Sequence, residues 1–354
     1  MFLHVLVIIN LLFTLPFRWG DTLKVTFLGD IMQHQAQLDA ARKPSKDGDR
    51  FTSYDYSSYF KHLESRFNLS DLRIANMETT FSSPPYSGYP AFNSPIALLE
   101  ACKNGGIDIF LSANNHICDK GGKGIDGTIS AYNSLNIPYA GAYRNSVERE
   151  SLYPLIIELK GIRLAILNYT YGTNGINIPE PFTVNLLDSV QIKRDIVKAS
   201  KHEPDFIIAA LHWGNEYNLF PSAEQKRWKR FFNRHGVNII MGSHPHVVQE
   251  VETERGLFGE TNRITAYSLG NAISNMTAPN TRTGMILTLR FVREVNGHVR
   301  LIEPLYELIW TSRPGAVEQN FTILPVKDFI DSPHLFKKKE EWRRMKHEHS
   351  TLKK

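Results

Sequence analysis

The sequence predicts a single α/β domain, either an open α/β sheet or a layered αββα arrangement, and three observations carry that prediction. Short apolar runs alternate with helix-like segments from Asp21 onward. With 42% hydrophobic and 22% charged residues, the composition suits a soluble globular chain with a large core. The 354 residues leave room for one big domain or two small ones, and no internal repeat or low-complexity linker divides them. One domain over roughly residues 22–330 is the simpler description.

Ahead of that domain stands MFLHVLVIINLLFTLPF, an apolar run the length of a signal-peptide core and short for a comfortable membrane span. No Lys or Arg precedes it, and Arg18 and Trp19 stand where small cleavage-site residues belong. Two readings of residues 1–20 therefore stay open, a cleaved export signal and an uncleaved anchor over residues 2–17. Both place the domain in the cell envelope, on its periplasmic or extracellular face.

The strand-like runs are, in order, LKVTFLGD, LRIANMETTF, IDIFLSANNH, RLAILNYTYG, FIIAALHWG, VNIIMGSHPH and ITAYSLGN. Helix candidates between them include Ser57 to Phe67, Pro95 to Lys103 closed by Gly105, and Ser222 to Arg234, where Ser222 and Gln225 make a capping box and Gly236 a stop. The later runs GMILTLRFV and HVRLIEPLYELIW alternate with no helix between them, as an antiparallel pair does. SSPPYSGYP, residues 82–90, is a loop that either shapes access to a site or is a plain surface turn.

Charge and cysteine usage exclude several function classes. Residues 337–354 hold eight Lys/Arg against three Glu and so account for the whole net charge of +5. The rest of the chain is neutral, which offers nothing to a nucleic acid. The basic stretch, within a tail over residues 331–354, reads as a solvated terminal helix or frayed segment, with His347 and His349 on its surface, or as a docking tail. Cys102 and Cys118 are the only cysteines, which excludes a disulfide-rich scaffold and any multi-cysteine zinc site and leaves a single bridge open. The four Asn-x-Ser/Thr matches at Asn68, Asn168, Asn275 and Asn320 are short enough to arise by chance.

Candidate chemistry lies in where the strands end. Asp30, Asn76 with Glu78, Asn115 with His116, His212, and His244 with His246 each follow or close an apolar run. In open α/β sheets ligands bind beyond the carboxyl ends of strands. Three histidines, two carboxylates and an amide brought together there form a mixed N/O site, suited to manganese, iron or zinc better than to calcium. Taken singly each has an ordinary explanation: Asp30 as a cap, Glu78 in a surface ion pair, His116 on a backbone carbonyl, His212 in the core. Their coincidence carries the site. In HPH the proline ends the strand and holds both histidines on a rigid turn.

Two other chemistries fail on spacing. A phosphate-binding loop with its lysine at Lys123 needs Gly at 117 and Ser or Thr at 124, where Ile117 and Gly124 stand. Ser243 lacks the G-x-S-x-G frame of a serine-hydrolase elbow.

FLGDIM, ANMETTF, SANNHICDKGGKGI, ALHWGNEY, GSHPHVVQ and AYSLGNAI, in this order from about residue 23 to about residue 290, resemble the motif set of the CapA family of capsule, or poly-γ-glutamate, synthesis proteins, related to the calcineurin-like metallophosphoesterases. The resemblance implies a four-layer αββα metallophosphoesterase-like sandwich. It implies one or two divalent metals held by Asp30, Glu78, Asn115, His212, His244 and His246, with Glu78 bridging. His116 would be the general acid, oriented by Asp119, and Asn76 and Asn271 would support ligands or touch substrate. The expected partners are an anionic envelope polymer such as poly-γ-glutamate and membrane-bound capsule synthesis proteins. A divalent metal lowers the pKa of water toward neutrality and polarises the bond attacked, while a histidine protonates the leaving group. One departure stands out: Met32 occupies the position of the histidine in the Asp-x-His of typical phosphoesterases, and thioether sulfur is a poor ligand for such ions. His34 lies too far along to take its place. An exported metal-dependent hydrolase or transferase, a non-catalytic envelope component and a phosphoesterase are the three functions in play.

Overall fold

The structure, a computed structural model, describes residues 22–43, 53–257 and 259–352. The apolar N-terminal segment and its two readings lie outside the described residues, among which no helix is long and apolar enough to cross a membrane.

Fourteen strands join in one sheet. They are β1 (Thr22–Ile31), β2 (Leu72–Met77), β3 (Ile109–Leu111), β4 (Tyr139–Ala140), β5 (Leu155–Leu159), β6 (Ile162–Thr170), β7 (Phe206–His212), β8 (Ile239–Ser243), β9 (Val251–Arg255), β10 (Thr261–Ala266), β11 (Asn271–Ile273), β12 (Thr283–Arg293), β13 (Val299–Ser312) and β14 (Thr322–Pro325). The longer helices are α1 (Gln35–Ala41), α2 (Ile96–Asn104), α3 (Gly121–Ser134), α4 (Ser146–Leu152), α5 (Ser189–Ser200), α6 (Ala223–Arg234) and α7 (Lys339–Leu352).

The strand order is β5-β6-β7-β8-β10-β13-β12-β1-β2-β3-β4, with β9 on β10, β11 on β1 and β14 on β13. β10 and β13 meet at a single residue pair, Thr261 with Leu301, so the sheet is really two half-sheets hinged there. Each half has a parallel core, β1-β2-β3-β4 in one and β6-β7-β8-β10 in the other. The halves fold onto each other, with the rings of Phe206 on β7 and Phe291 on β12 5.0 Å apart across the interface. Helices cover the outer faces: Tyr132 of α3 stacks on Phe110 of β3 at 5.8 Å, and Phe232 of α6 lies 6.1 Å from Tyr169 of β6. The result is a mixed α/β fold in four layers. β7 and β8 are buried along their whole length, as strands covered on both faces must be.

At the far seam the halves are joined by one side chain. Asn168 on β6 accepts the backbone N–H groups of Ser112 and Ala113 at 3.2 and 2.8 Å and donates to the Ala210 carbonyl at 3.1 Å. Its amide, part of one Asn-x-Thr match, is thus consumed by the fold.

The local signals hold where the pattern is strong. Ser222 Oγ accepts the Gln225 N–H and Gln225 Oε1 accepts the Ser222 N–H, the reciprocal capping box, ahead of α6. β12 and β13 form the antiparallel pair their alternation predicts. The glycine-rich DKGGKGID opens helix α3, and a Cβ at Gly127 would lie 2.0 Å from the Phe81 carbonyl, so its glycine serves close packing.

Three expectations are corrected. Residues 57–67 do not make one helix: a turn leads into short helical pieces, Lys61–Leu63 and Glu64–Phe67. Ser58 and Tyr59 carbonyls accept instead from Thr322 and Ile323 of β14, so tertiary bonds take the acceptors a helix needs. The basic C-terminal stretch is no frayed appendage. α7 buries Met345, Glu341 and Glu348 beside a cluster of Trp310, Leu324, Val326, Phe329 and Phe336. Cys102 and Cys118 are separate buried thiols.

Candidate metal centre

The site forms where the carboxyl ends of both parallel cores meet. Asp30 sits at a register shift in β1, beside Asn76 of β2 and Asn271 of β11. The backbones crowd here: a Cβ on Gly29 would lie 1.8 Å from the Gly270 carbonyl, which accepts the Asp30 N–H at 3.0 Å. Only glycine permits that approach, and it pins Asp30. Glu78 follows β2, its N–H held by the Ile31 carbonyl at 2.9 Å. Asn115 and His116 lie in the loop after β3, and His212 is the last residue of β7.

The HPH turn after β8 has an unusual backbone. His244 and His246 have φ of +93° and +57°, a region non-glycine residues enter at a cost of about 1–3 kcal/mol when the surroundings over-determine it. Here the His244 N–H donates to Asp30 Oδ2 at 3.2 Å and the Pro245 carbonyl accepts the Tyr217 N–H at 2.8 Å. The turn is thus anchored to the opposite half of the fold.

Two donor trios result, each with ligand atoms within 4.8 Å of one another: Asp30, Glu78 and His212, and Glu78, His244 and His246. All five residues are buried, and Glu78 belongs to both trios. Glu78 Oε1 lies 3.4 Å from His212 Nε2 and 3.9 Å from His246 Nε2. Asn115 Oδ1 approaches His212 Nε2 at 2.7 Å and so faces the first trio. On the far sides of the rings, His212 Nδ1 meets Ser243 Oγ at 3.0 Å and His246 Nδ1 meets Asn271 Oδ1 at 3.0 Å. An imidazole held at Nδ1 by an oxygen acceptor presents Nε2 for coordination.

The donor set fits a divalent metal. Both Glu78 oxygens and His244 Nδ1 are buried with no hydrogen-bond partner, a costly state for polar atoms unless a cation takes them up. Burial pushes the His244 pKa down, and neighbouring His212 and His246 push it further, which keeps that ring neutral as a ligand must be. For His246 burial again works against charge, but Glu78 and Asp30 outweigh it and lift the pKa to about 9. For Asp30 burial works upward, and the His246 hydrogen bond and the His212 ring overcome it, holding the carboxyl below its usual value. Two carboxylates in a buried pocket thus call for positive charge.

The other expected residues surround this centre. His116 Nδ1 bonds Asp119 Oδ2 at 2.8 Å, and Asp119 also accepts the Phe92 N–H at 2.7 Å. Burial opposes protonation of His116, but Asp119 and Glu78 raise its pKa above the ordinary value. Asn76 donates to Asp30 Oδ1 at 2.7 Å. Met32 is buried and brings no nitrogen or oxygen donor. His34 lies edge-on to Phe92 at 5.4 Å, and burial, with His246 and His116 nearby, lowers its pKa to about 4.

Strand ends alone did not reveal the supporting and rim residues. Ser243 orients His212, and Asn114 donates to the Met77 carbonyl at 2.8 Å. Aromatic rings border the site histidines: Tyr171 lies 4.5 Å from His244, Phe92 4.6 Å from His116 and Tyr217 6.4 Å from His246. Tyr89, from the 82–90 loop, is exposed and extends the Phe92 edge at 6.3 Å. Tyr171 was the legible one, since it directly follows the apolar run of β6.

The family model for the bacterial capsule synthesis protein PGA_cap matches residues 24–276. The chain is 27% identical over 268 residues to the capsule biosynthesis protein CapA of Bacillus anthracis, covering 72% of this chain and 61% of that protein. It is 24% identical over 318 residues to the PGA biosynthesis protein CapA of Bacillus subtilis (strain 168), covering 83% and 78%. The chain therefore spans about 61% of the length of the first of these relatives. Among solved structures, the Haemophilus influenzae NAD nucleotidase (NadN) aligns at a TM-score of 0.49 and 11% identity, covering 83% of this chain and 58% of that one.

Proposed function

Because this chain belongs to the bacterial capsule synthesis protein PGA_cap family through residues 24–276, we propose that it is an exported, metal-dependent hydrolase or transferase acting on an anionic cell-envelope polymer such as poly-γ-glutamate. The observation that carries the reading is Glu78, a buried carboxylate with no hydrogen-bond partner, shared by two trios of ligand-competent side chains.

In this reading Asp30, Glu78 and His212, helped by Asn115, hold one ion, and Glu78, His244 and His246 the other. A bound manganese, iron or zinc supplies Lewis acidity and an activated water. The protein's own residues do the rest. Asp119 accepts from His116 Nδ1, so Nε2 carries the proton for the leaving group. Asn76 and Asn271 orient Asp30 and His246. The aromatic rim packs against the chain of the substrate, and no lysine or arginine is among the hydrogen-bond or ion-pair partners of Asp30, Glu78 or Asp119. The anionic group that reacts would then be met by metal.

The test is metal quantification of purified protein, followed by a screen of the loaded protein on γ-glutamyl polymers and phosphoesters. Stoichiometric transition metal and turnover of a γ-glutamyl polymer are expected, with turnover abolished in His116→Ala. Absence of bound metal from the wild type sinks the reading.

A second reading, a non-catalytic component that aids polymer assembly with membrane-bound partners, draws on Met32, which leaves one metal position a donor short. Under it His116→Ala supports capsule formation as well as wild type does. Turnover confined to simple phosphoesters would identify a phosphoesterase instead.

A further inference from the structure

We propose that the C-terminal helix α7, which lies beyond the segment matched by the family model, is a clamp that sets the orientation of Asn271 and through it the coordinating face of His246. The proposal rests on the metal reading above for its consequence, but its chain of contacts is independent of any ion.

The chain starts at a buried arginine. Arg282 is fully enclosed, with its guanidinium carbon 3.9 Å from the centre of the Trp310 ring. Its Nη1 donates to Glu341 Oε1 at 2.9 Å, and Nε and Nη2 donate to the Thr311 carbonyl at 2.9 and 2.6 Å. One turn of α7 further on, Glu348 accepts from Thr283 Oγ1 at 2.9 Å and from Arg344 Nε at 3.0 Å. Arg344 in turn donates to the Thr277 carbonyl at 3.1 Å. Three side chains of one helix thus hold both ends of the 277–283 segment.

The centre of that segment faces the metal site. The Thr281 carbonyl accepts from Asn271 Nδ2 at 2.8 Å. A side-chain amide has one donor end and one acceptor end, so this bond decides which way Asn271 points. With Nδ2 on Thr281, Oδ1 must face His246, whose Nδ1 lies 3.0 Å away. An acceptor there requires the proton on Nδ1 and leaves the Nε2 lone pair toward Glu78. Were the amide to turn over, its NH2 would meet Nδ1, place the proton on Nε2 and close that nitrogen to a metal. Glu341, Glu348 and Arg344 are positioning residues; none touches the centre.

The experiment compares full-length wild type with Glu348→Ala, Arg344→Gln, Glu348→Gln and the control Trp342→Phe, which alters the same helix away from the segment, at its bond to the Ile330 carbonyl. Mn2+ alone is titrated, and in metal-free protein the Asn271 side-chain amide resonance is recorded after assignment with Asn271→Asp. Glu348→Ala and Arg344→Gln are expected to weaken Mn2+ binding about tenfold or more, the usual scale for groups that orient a ligand, and to shift the amide resonance. Glu348→Gln keeps an acceptor for Thr283 and should restore most of both. Trp342→Phe should lower thermal stability and leave both unchanged. An unmoved Asn271 resonance, or a loss of affinity that follows stability equally in Trp342→Phe, overturns the clamp. If wild type binds no Mn2+, the functional reading falls and the amide resonance alone decides the clamp.

Discussion

The two half-sheets have similar parallel cores yet contribute opposite chemistry. The half built on β1 supplies Asp30, Asn76, Glu78, Asn115 and His116, acids and amides with one histidine. The half built on β7 supplies His212, His244 and His246, imidazoles only. Each half alone would be unstable at its own edge: buried carboxylates with no positive partner on one side, crowded histidines on the other. Facing each other, they neutralise much of that cost and leave a cavity that a divalent ion completes. The difference teaches that the site is a property of the interface between the halves, and that neither half carries it.

The largest expected effect comes from the residue that serves both trios. Glu78→Gln keeps the shape and removes the shared charge, so both metal equivalents should be lost when the protein is dialysed and its metal measured by mass spectrometry. His244→Ala touches one trio and should leave about half the wild-type metal. Equal metal content in the two variants would break the account of Glu78 as the shared ligand.

Next comes the seam. Asn168→Ala removes the acceptor for Ser112 and Ala113 and the donor to Ala210, and buried unsatisfied groups cost about 1–3 kcal/mol each. A loss of roughly 2–4 kcal/mol is expected in denaturant unfolding, with weakened metal binding because the halves no longer register. A cost near zero would mean that the hinge and the core alone hold the halves together.

A smaller effect follows from pH. Burial pushes the Glu341 pKa up, but Arg282 outweighs it and holds the carboxyl below its ordinary 4.5. A carboxylate with a depressed folded pKa stabilises the fold fully above its unfolded value, and that contribution drains as pH falls through the folded one. The thermal midpoint of metal-free protein should therefore drop below about pH 4.5, and less steeply in Glu341→Gln. Identical slopes for the two proteins would detach α7 from the stability of the β1 half, to which Arg282 belongs.

The smallest effect is at the rim. Tyr217, 47% exposed, stands by His246 on the β7 half, opposite Phe92 and Tyr89. Tyr217→Ala should raise KM severalfold with metal content unchanged, and an unchanged KM would confine the mouth to the β1 half.

Much of the centre was legible because its donors sit where apolar runs end, and a strand buried on both faces reads as an uninterrupted apolar word. The capping box at Ser222 and Gln225 and the β12–β13 alternation were legible for the same reason: their signals are local. What failed was not local. Residues 57–67 have helical spacing, yet their carbonyls bond a strand some 260 residues away. The basic tail reads as solvated because eight Lys/Arg dominate it, while the three residues that count, Glu341, Met345 and Glu348, share one face only after the helix docks. Asn168 looked like part of a surface motif until two strands of the other half needed its oxygen.

By itself the sequence determined the alternation of elements, the identity of the donors and their place at strand ends, since these depend on residue type and short-range periodicity. Only the tertiary structure decided that Glu78 is shared, that the HPH turn is anchored on Asp30, that Asn168 joins the halves and that α7 reaches Asn271. Those contacts link residues from 46 to more than 200 positions apart, and the packing of two sheets, which no local pattern encodes, is what brings them within reach.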